Sequence, residues 1–127
     1  RAAELGMAAV DVRSVDHSDG SGAVAVRAWA AGGVTGVVAY DDDVAAVVVG
    51  AAVRAGLRVP GDLAVIGHDD SPMASLFVPS LSSIRMATAE AGRYLAAMAL
   101  HEADGRPLPS ARLTMDTRVV ARESTLG

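Results

Sequence analysis

Gly56-Leu57-Arg58-Val59-Pro60-Gly61-Asp62-Leu63-Ala64-Val65-Ile66-Gly67-His68-Asp69-Asp70 is the stretch on which the fold turns. Gly56 closes an apolar helical run, and residues 57–62 carry Pro, Gly and Asp, the chemistry of a turn. Residues 63–67 are a short, continuous apolar segment, the pattern of a strand covered on both faces. The strand runs out into His68, Asp69 and Asp70, three polar groups in a row at its carboxyl end. A helix, a loop, a buried strand and a polar strand end in this order form one unit of a parallel α/β sheet.

The same alternation continues in both directions. Upstream, residues 34–39 predict another buried strand. Asp41 follows where a helix N-cap belongs, and the helix it opens runs to about residue 55. Asp42 and Asp43 fall in its first turn, where the helix dipole favours acids, and read as surface carboxylates. Residues 22–31 predict a helix stopped by Gly32 and Gly33. Residues 17–21 are polar turn chemistry that can cap it, and the Val10, Val12, Val15 run predicts a strand ending at Asp16. Residues 1–5 look like the end of a helix cut inside its length, so the chain is expected to be a fragment. Downstream, residues 71–77 predict one or two helical turns, residues 81–85 an extended segment and residues 88–102 a helix. Residues 111–121 predict one or two strands, and the tail 122–127 is expected to be exposed. The fold class is therefore α/β, with a largely parallel, Rossmann-like sheet and flanking helices.

Composition narrows the function. The formal charge is −4, and all basic residues are arginines scattered along the chain, which argues against a nucleic-acid surface in this piece. There is no cysteine, which removes disulfides and thiolate metal sites. No apolar run reaches the ~18–20 residues of a membrane span. The glycines at 32, 33 and 36 end a helix and precede a strand, the reverse of a phosphate-binding loop. His68-Asp69-Asp70 invites a metal-dependent hydrolase reading. With His17, His68 and His101 the only histidines, no metal site and no cofactor are expected. No serine sits in a nucleophile pattern, and no enzymatic activity is expected.

In open parallel sheets, ligands bind beyond the carboxyl ends of the strands. Those ends carry His17, Asp41 and Asp69 here. Two ionised carboxylates are acceptor-only groups suited to a hydroxyl-rich ligand, and a flat imidazole can pack on the apolar face of a pyranose or a base. Each also has a plainer reading. Asp41 and Asp69 can cap the helices that follow, His17 can be a loop residue, Asp16 a turn-former and Asp70 structural or at an interface.

Four stretches resemble the LacI/GalR family of transcription regulators. They are Val37-Val38-Ala39-Tyr40-Asp41-Asp42-Asp43-Val44-Ala45, the opening stretch of residues 56–70, Pro79-Ser80-Leu81-Ser82-Ser83-Ile84-Arg85, and Arg118-Val119-Val120-Ala121-Arg122-Glu123-Ser124-Thr125. The resemblance implies the C-terminal part of a periplasmic-binding-protein-like type I sensing domain, truncated. Residues 1–87 would be the partial C-terminal effector-binding subdomain. Residues 88–105 would be a helix of the missing N-terminal subdomain, and 106–127 the closing strands and tail. It implies a cytoplasmic repressor whose small sugar-like or nucleoside effector touches His17, Asp41 and Asp69, with DNA contacted only through an absent headpiece. A periplasmic sugar receptor serving a transporter is the alternative. The resemblance also places a dimer interface on Ala46, Val49, Val53, Ser71, Met73 and Phe77. The 88–102 helix, parted from its subdomain, is expected to expose apolar surface and favour a homodimer or swapped oligomer.

This sequence departs from the family at several points. Asp41 replaces an Asn, losing a donor and adding charge. His68 replaces an aromatic residue, Val47 a glycine, and Met86 a glutamine that contacts ligand in some members.

Overall fold

A computed structural model of the chain describes residues 3–6, 8–107 and 116–126. Three parallel strands form the centre of the sheet: β1 (Gly36–Val38), β2 (Ala64–His68) and β3 (Ser82–Met86). β4 (Thr117–Val120) joins β3 in the antiparallel sense, giving the order β1-β2-β3-β4. Val37 lies opposite Val65, and Gly67 opposite Ser83, so the carboxyl ends of all three parallel strands reach one edge.

Two helices cover the sheet from one side. α1 (Ser21–Ala31) packs on α2 (Asp42–Arg54), and α2 packs on β2. α2 begins because Asp41 caps it: its Oδ1 accepts from the Val44 amide at 2.7 Å. It ends in a Schellman turn, with Gly56 at φ +80° and the Leu57 amide donating to the Ala52 carbonyl. The sealed interior is small-residue: Val26, Ala45, Val48, Ala52, Leu63, Val65 and Leu81 are all but inaccessible, with Trp29 filling the end of α1. Small side chains let α1 approach α2 closely. A Cβ on Gly22 would stand 2.7 Å from Val47 Cγ1, so the valine where the family has glycine is matched by a glycine on the facing helix.

The loop read as a turn is stapled by charge. The Asp62 carboxylate accepts from the Arg58 amide at 2.8 Å and from Arg58 Nη2 at 2.6 Å. These bonds hold the Asp62 carboxyl down to about 2.

Several expectations are corrected. Residues 10–16 form no strand: Val10 and Val12 are exposed and no described strand pairs with the segment. A β-branched run needs a ladder partner before it becomes a strand. Of the expected first helix, a single 3₁₀ turn, Ala3–Leu5, is described, and residues 1 and 2 lie outside the described set. α1 follows Gly20, φ +76°, at its N-cap, without a side-chain cap. The tail is not exposed throughout. Ser124 is fully buried: its hydroxyl donates to the Val65 carbonyl at 2.6 Å and accepts from the Ser82 amide at 2.8 Å. With Glu123 bound to the Ser80 amide, the tail ties β2 to β3 through polar side chains. Of the strands expected over 111–121, β4 is described and 111–115 lie outside the described residues.

α3 (Thr88–Asp104) buries none of its residues, and Leu95 and Leu100 are exposed. Among the described residues no helix is long and apolar enough to cross a membrane.

Candidate functional site

The edge beyond the parallel strands is built by three chain segments. β1 ends at Val38, and the Ala39 amide still donates to the Ile66 carbonyl at 2.8 Å, which sets Asp41 beside the end of β2. Asp41 is half-buried. One of its oxygens caps α2, and among the described residues the other accepts no hydrogen bond. The N-cap reading is therefore correct and leaves one oxygen free.

Asp69 lies one residue beyond β2, at the same edge. Its amide donates to the Ile84 carbonyl at 2.9 Å, and its side chain is 58% exposed. Oδ1 stands 2.7 Å from His68 Nδ1. Asp69 and Asp70 adopt φ of +92° and +50°. Non-glycine residues in this region are uncommon, and such backbone collects at functional turns.

His17 reaches this edge by topology. A four-residue connection, 32–35, joins α1 to β1, so α1 runs back along the sheet and its first turn lies over the strands' carboxyl ends. The contact of Gly22 with Val47, in the second turn of α2, agrees with that placement. The loop holding His17 is set by short bonds: Asp16 Oδ1 accepts from the Ser18 amide and hydroxyl, and Asp19 Oδ1 from the Ser21 amide. These bonds lower both carboxyl pKa values. The His17 ring is exposed. Tyr40, passed over in the sequence, is also exposed at this edge, immediately before Asp41. Its signal was its position between a strand end and an N-cap.

Behind the edge lies a polar cluster that the sequence did not disclose. Asp42, expected on the surface, is 2% exposed. Its Oδ1 accepts from Ser83 Oγ and its Oδ2 from the Ser71 amide, each at 2.6 Å. Ser83 Oγ in turn accepts from the Asp70 amide at 2.9 Å. The Asp70 side chain, 1% exposed, pairs with Arg122, at 2.6 Å, and with Arg85. Burial works to raise the Asp70 pKa, and the two guanidiniums more than offset it, holding the carboxyl below its ordinary 3.8. Asp70 is thus structural, as one of its readings had it. Among the described residues no three His, Asp or Glu side chains gather as a metal site.

A carboxyl lowered on folding stabilises the fold above its unfolded pKa, and that share is lost as pH falls through the folded value. Asp70→Asn should lower the urea midpoint of unfolding at neutral pH, and the gap from wild type should close as pH drops below 3.8. A gap that stays constant into strong acid would show that the charge of Asp70 contributes nothing.

Of the residues expected at a dimer interface, Ala46, Val49, Val53 and Phe77 line one shallow groove of about 320 Å³ with Val78. Met73 is exposed nearby in sequence, Val49 is largely buried in its own core, and Ser71 is half-buried.

Residues 1–125 match the periplasmic binding protein-like domain family. The chain is 32% identical over 94 residues to a ribose operon repressor of Halalkalibacterium halodurans, covering 74% of this chain and 28% of that protein. It is 32% identical over 88 residues to a lactose operon repressor of Rhizobium radiobacter, covering 69% of this chain and 77% of that one. A LacI family regulator of Arthrobacter sp. FB24, solved in complex with lactose, superposes with a TM-score of 0.76 at 32% identity over 98% of this chain and 47% of its own. The chain thus spans under half the length of most of these proteins. By these likenesses the chain belongs to the LacI/GalR family of transcription regulators, as part of their effector-binding domain.

Proposed function

We propose that this chain is the effector-sensing part of a repressor that binds a small sugar-like or nucleoside ligand along the edge bearing His17, Asp41 and Asp69. The observation that carries this reading is the pairing of Asp41 and Asp69 on one edge, each with a carboxylate oxygen left open among the described residues. Two open acceptors a few residues beyond adjacent strands suit the hydroxyls of one small molecule. Relatives named for sugar operons, and one solved with lactose, support a saccharide. They also favour a cytoplasmic regulator over a transporter's periplasmic receptor, and they call for no reaction chemistry.

The mechanism follows from linkage. The ligand sits between this subdomain and a second one, to which α3 belongs, and shifts DNA affinity only by its differential affinity for the two arrangements. DNA is contacted by a headpiece outside this chain. The α2 groove with Phe77 and Val78, flanked by Met73 and Leu76, is covered by a second copy, since an apolar patch of this kind marks an interface. Light scattering at micromolar protein should give a dimer; a monomer would exclude this use of the groove.

The binding reading is tested by a thermal-shift screen of saccharides and nucleosides on the full-length protein, followed by calorimetry on Asp69→Ala. Losing a charge-assisted hydrogen bond is worth ~1.5–3 kcal/mol, so affinity should fall at least about tenfold. An affinity within about twofold of wild type would remove Asp69 from the site.

A further inference from the structure

The turn that carries Asp69 is held from behind, and each of its three amides is tied to a neighbouring element. The Asp69 amide donates to the Ile84 carbonyl, the Asp70 amide to Ser83 Oγ, and the Ser71 amide to Asp42 Oδ2. Without such ties a left-handed pair of aspartates relaxes, because two adjacent non-glycine residues rarely share positive φ. A further tie comes from far along the chain. Arg122, 52 residues beyond Asp70, is pinned by its own backbone, which exchanges bonds with Ser82 Oγ at 2.7 and 3.0 Å. Its Nη1 donates to the Leu81 carbonyl and its Nη2 to Asp70 Oδ1. The guanidinium therefore fixes one oxygen of Asp70, Arg85 on β3 holds the other, and Asp69, the next residue back, turns out to solvent.

We propose that Arg122 is a positioning residue for effector binding: from the C-terminal tail it grips Asp70 and so holds Asp69 in the backbone conformation that presents its carboxylate at the sheet edge. This inference rests on the reading of Asp69 as an effector ligand. Arg122 touches no ligand itself. It makes the tail part of the binding apparatus, so that a change in the tail is felt at a carboxylate to which it makes no bond. Lysine in its place keeps the charge but not the planar fork that reaches Leu81 and Asp70 together.

The test uses the full-length protein with Arg122→Met, Arg122→Lys, and the double variant Asp70→Asn/Arg122→Met, which removes the buried charge together with its buried partner if the single change, leaving Asp70 to Arg85 alone, fails to fold. Two readouts are compared: hydrogen exchange at the amides of residues 69–71, and calorimetric titration with D-ribose and with lactose. In Arg122→Met or the double variant, exchange at 69–71 should rise about tenfold more than at the amides of Val48 and Ala52, buried within α2 and away from the tail. Affinity for whichever sugar binds wild type should fall about fivefold or more, with Arg122→Lys recovering part of it. Exchange that rises equally at turn and core, or affinity unchanged while the turn loosens, overturns the proposal, since either outcome describes a residue that only stabilises the fold. If neither sugar binds wild type, D-ribose and lactose are excluded as effectors, and the titration is repeated with the saccharide or nucleoside that the thermal-shift screen selects. The exchange comparison then decides by itself whether Arg122 holds the turn.

Discussion

Gly67→Ala should cost about 3 kcal/mol of folding free energy and lower the melting temperature by about 12 °C. Gly67 faces the start of α2 from inside β2. A Cβ there would overlap Asp42 Oδ1 and stand 3.1 Å from Asp42 Cα and 3.2 Å from Ala45 Cβ. Two of these neighbours belong to α2's backbone or to its first Cβ atoms, so no flexible side chain can swing clear. The helix must lift from the sheet, and lifting it pulls Asp42 off both of its donors. The methyl group is small, but it lands where α2, β2 and β3 meet. A thermal melt that moves by less than about 3 °C would mean that α2 packs less closely than described.

Asp42→Ala should cost about as much, roughly 3 kcal/mol, for a different reason. The Ser71 amide and the Ser83 hydroxyl both donate to this buried carboxylate, and removing it leaves two desolvated donors without acceptors. Asp42→Asn should cost only about 1 kcal/mol, because the amide still accepts from Ser71 and can donate to Ser83 Oγ. The two sites share an atom, so their effects should not add. In an Asp42→Ala background the Oδ1 overlap is gone, and Gly67→Ala should be milder by about 1 kcal/mol. Strict additivity in denaturant titrations would separate the two residues and dissolve the cluster.

Much of this architecture was legible because it depends on local chemistry. Residues 63–67 are apolar and continuous, and the strand is there. Asp41 precedes a run of helix formers, and it caps. Asp42 was misread for the same local reason: an acid in a first turn is usually a solvated one. What buries it lies elsewhere, in the small residues Gly67 and Ser83 on the strands beneath, whose lack of bulk was the available signal. The Arg122–Asp70 pair spans the chain, and no periodicity or spacing announces it. The tail's Arg-Glu-Ser-Thr reads as polar and exposed, yet Ser124 sits inside the sheet, because a serine bonded to the backbone can replace a missing ladder bond. The segment 10–16 shows the converse, a β-branched pattern with no described strand to pair with.

Asp41 and Asp69 are proposed from their place after strands, which the parallel register brings to one edge. Register is a property of pairing, and it brings two positions 28 apart in the chain to one edge of the sheet. Their chemistry as a pair is the central claim. It is tested most directly by a crystal structure of the full-length protein with the saccharide that raises its melting temperature most. Sugar hydroxyls should lie within about 3.2 Å of the open oxygen of Asp41 and of the Asp69 carboxylate at once. A sugar bound at the opposite edge, near Thr35 and Leu57, or one touching neither acid, would contradict it.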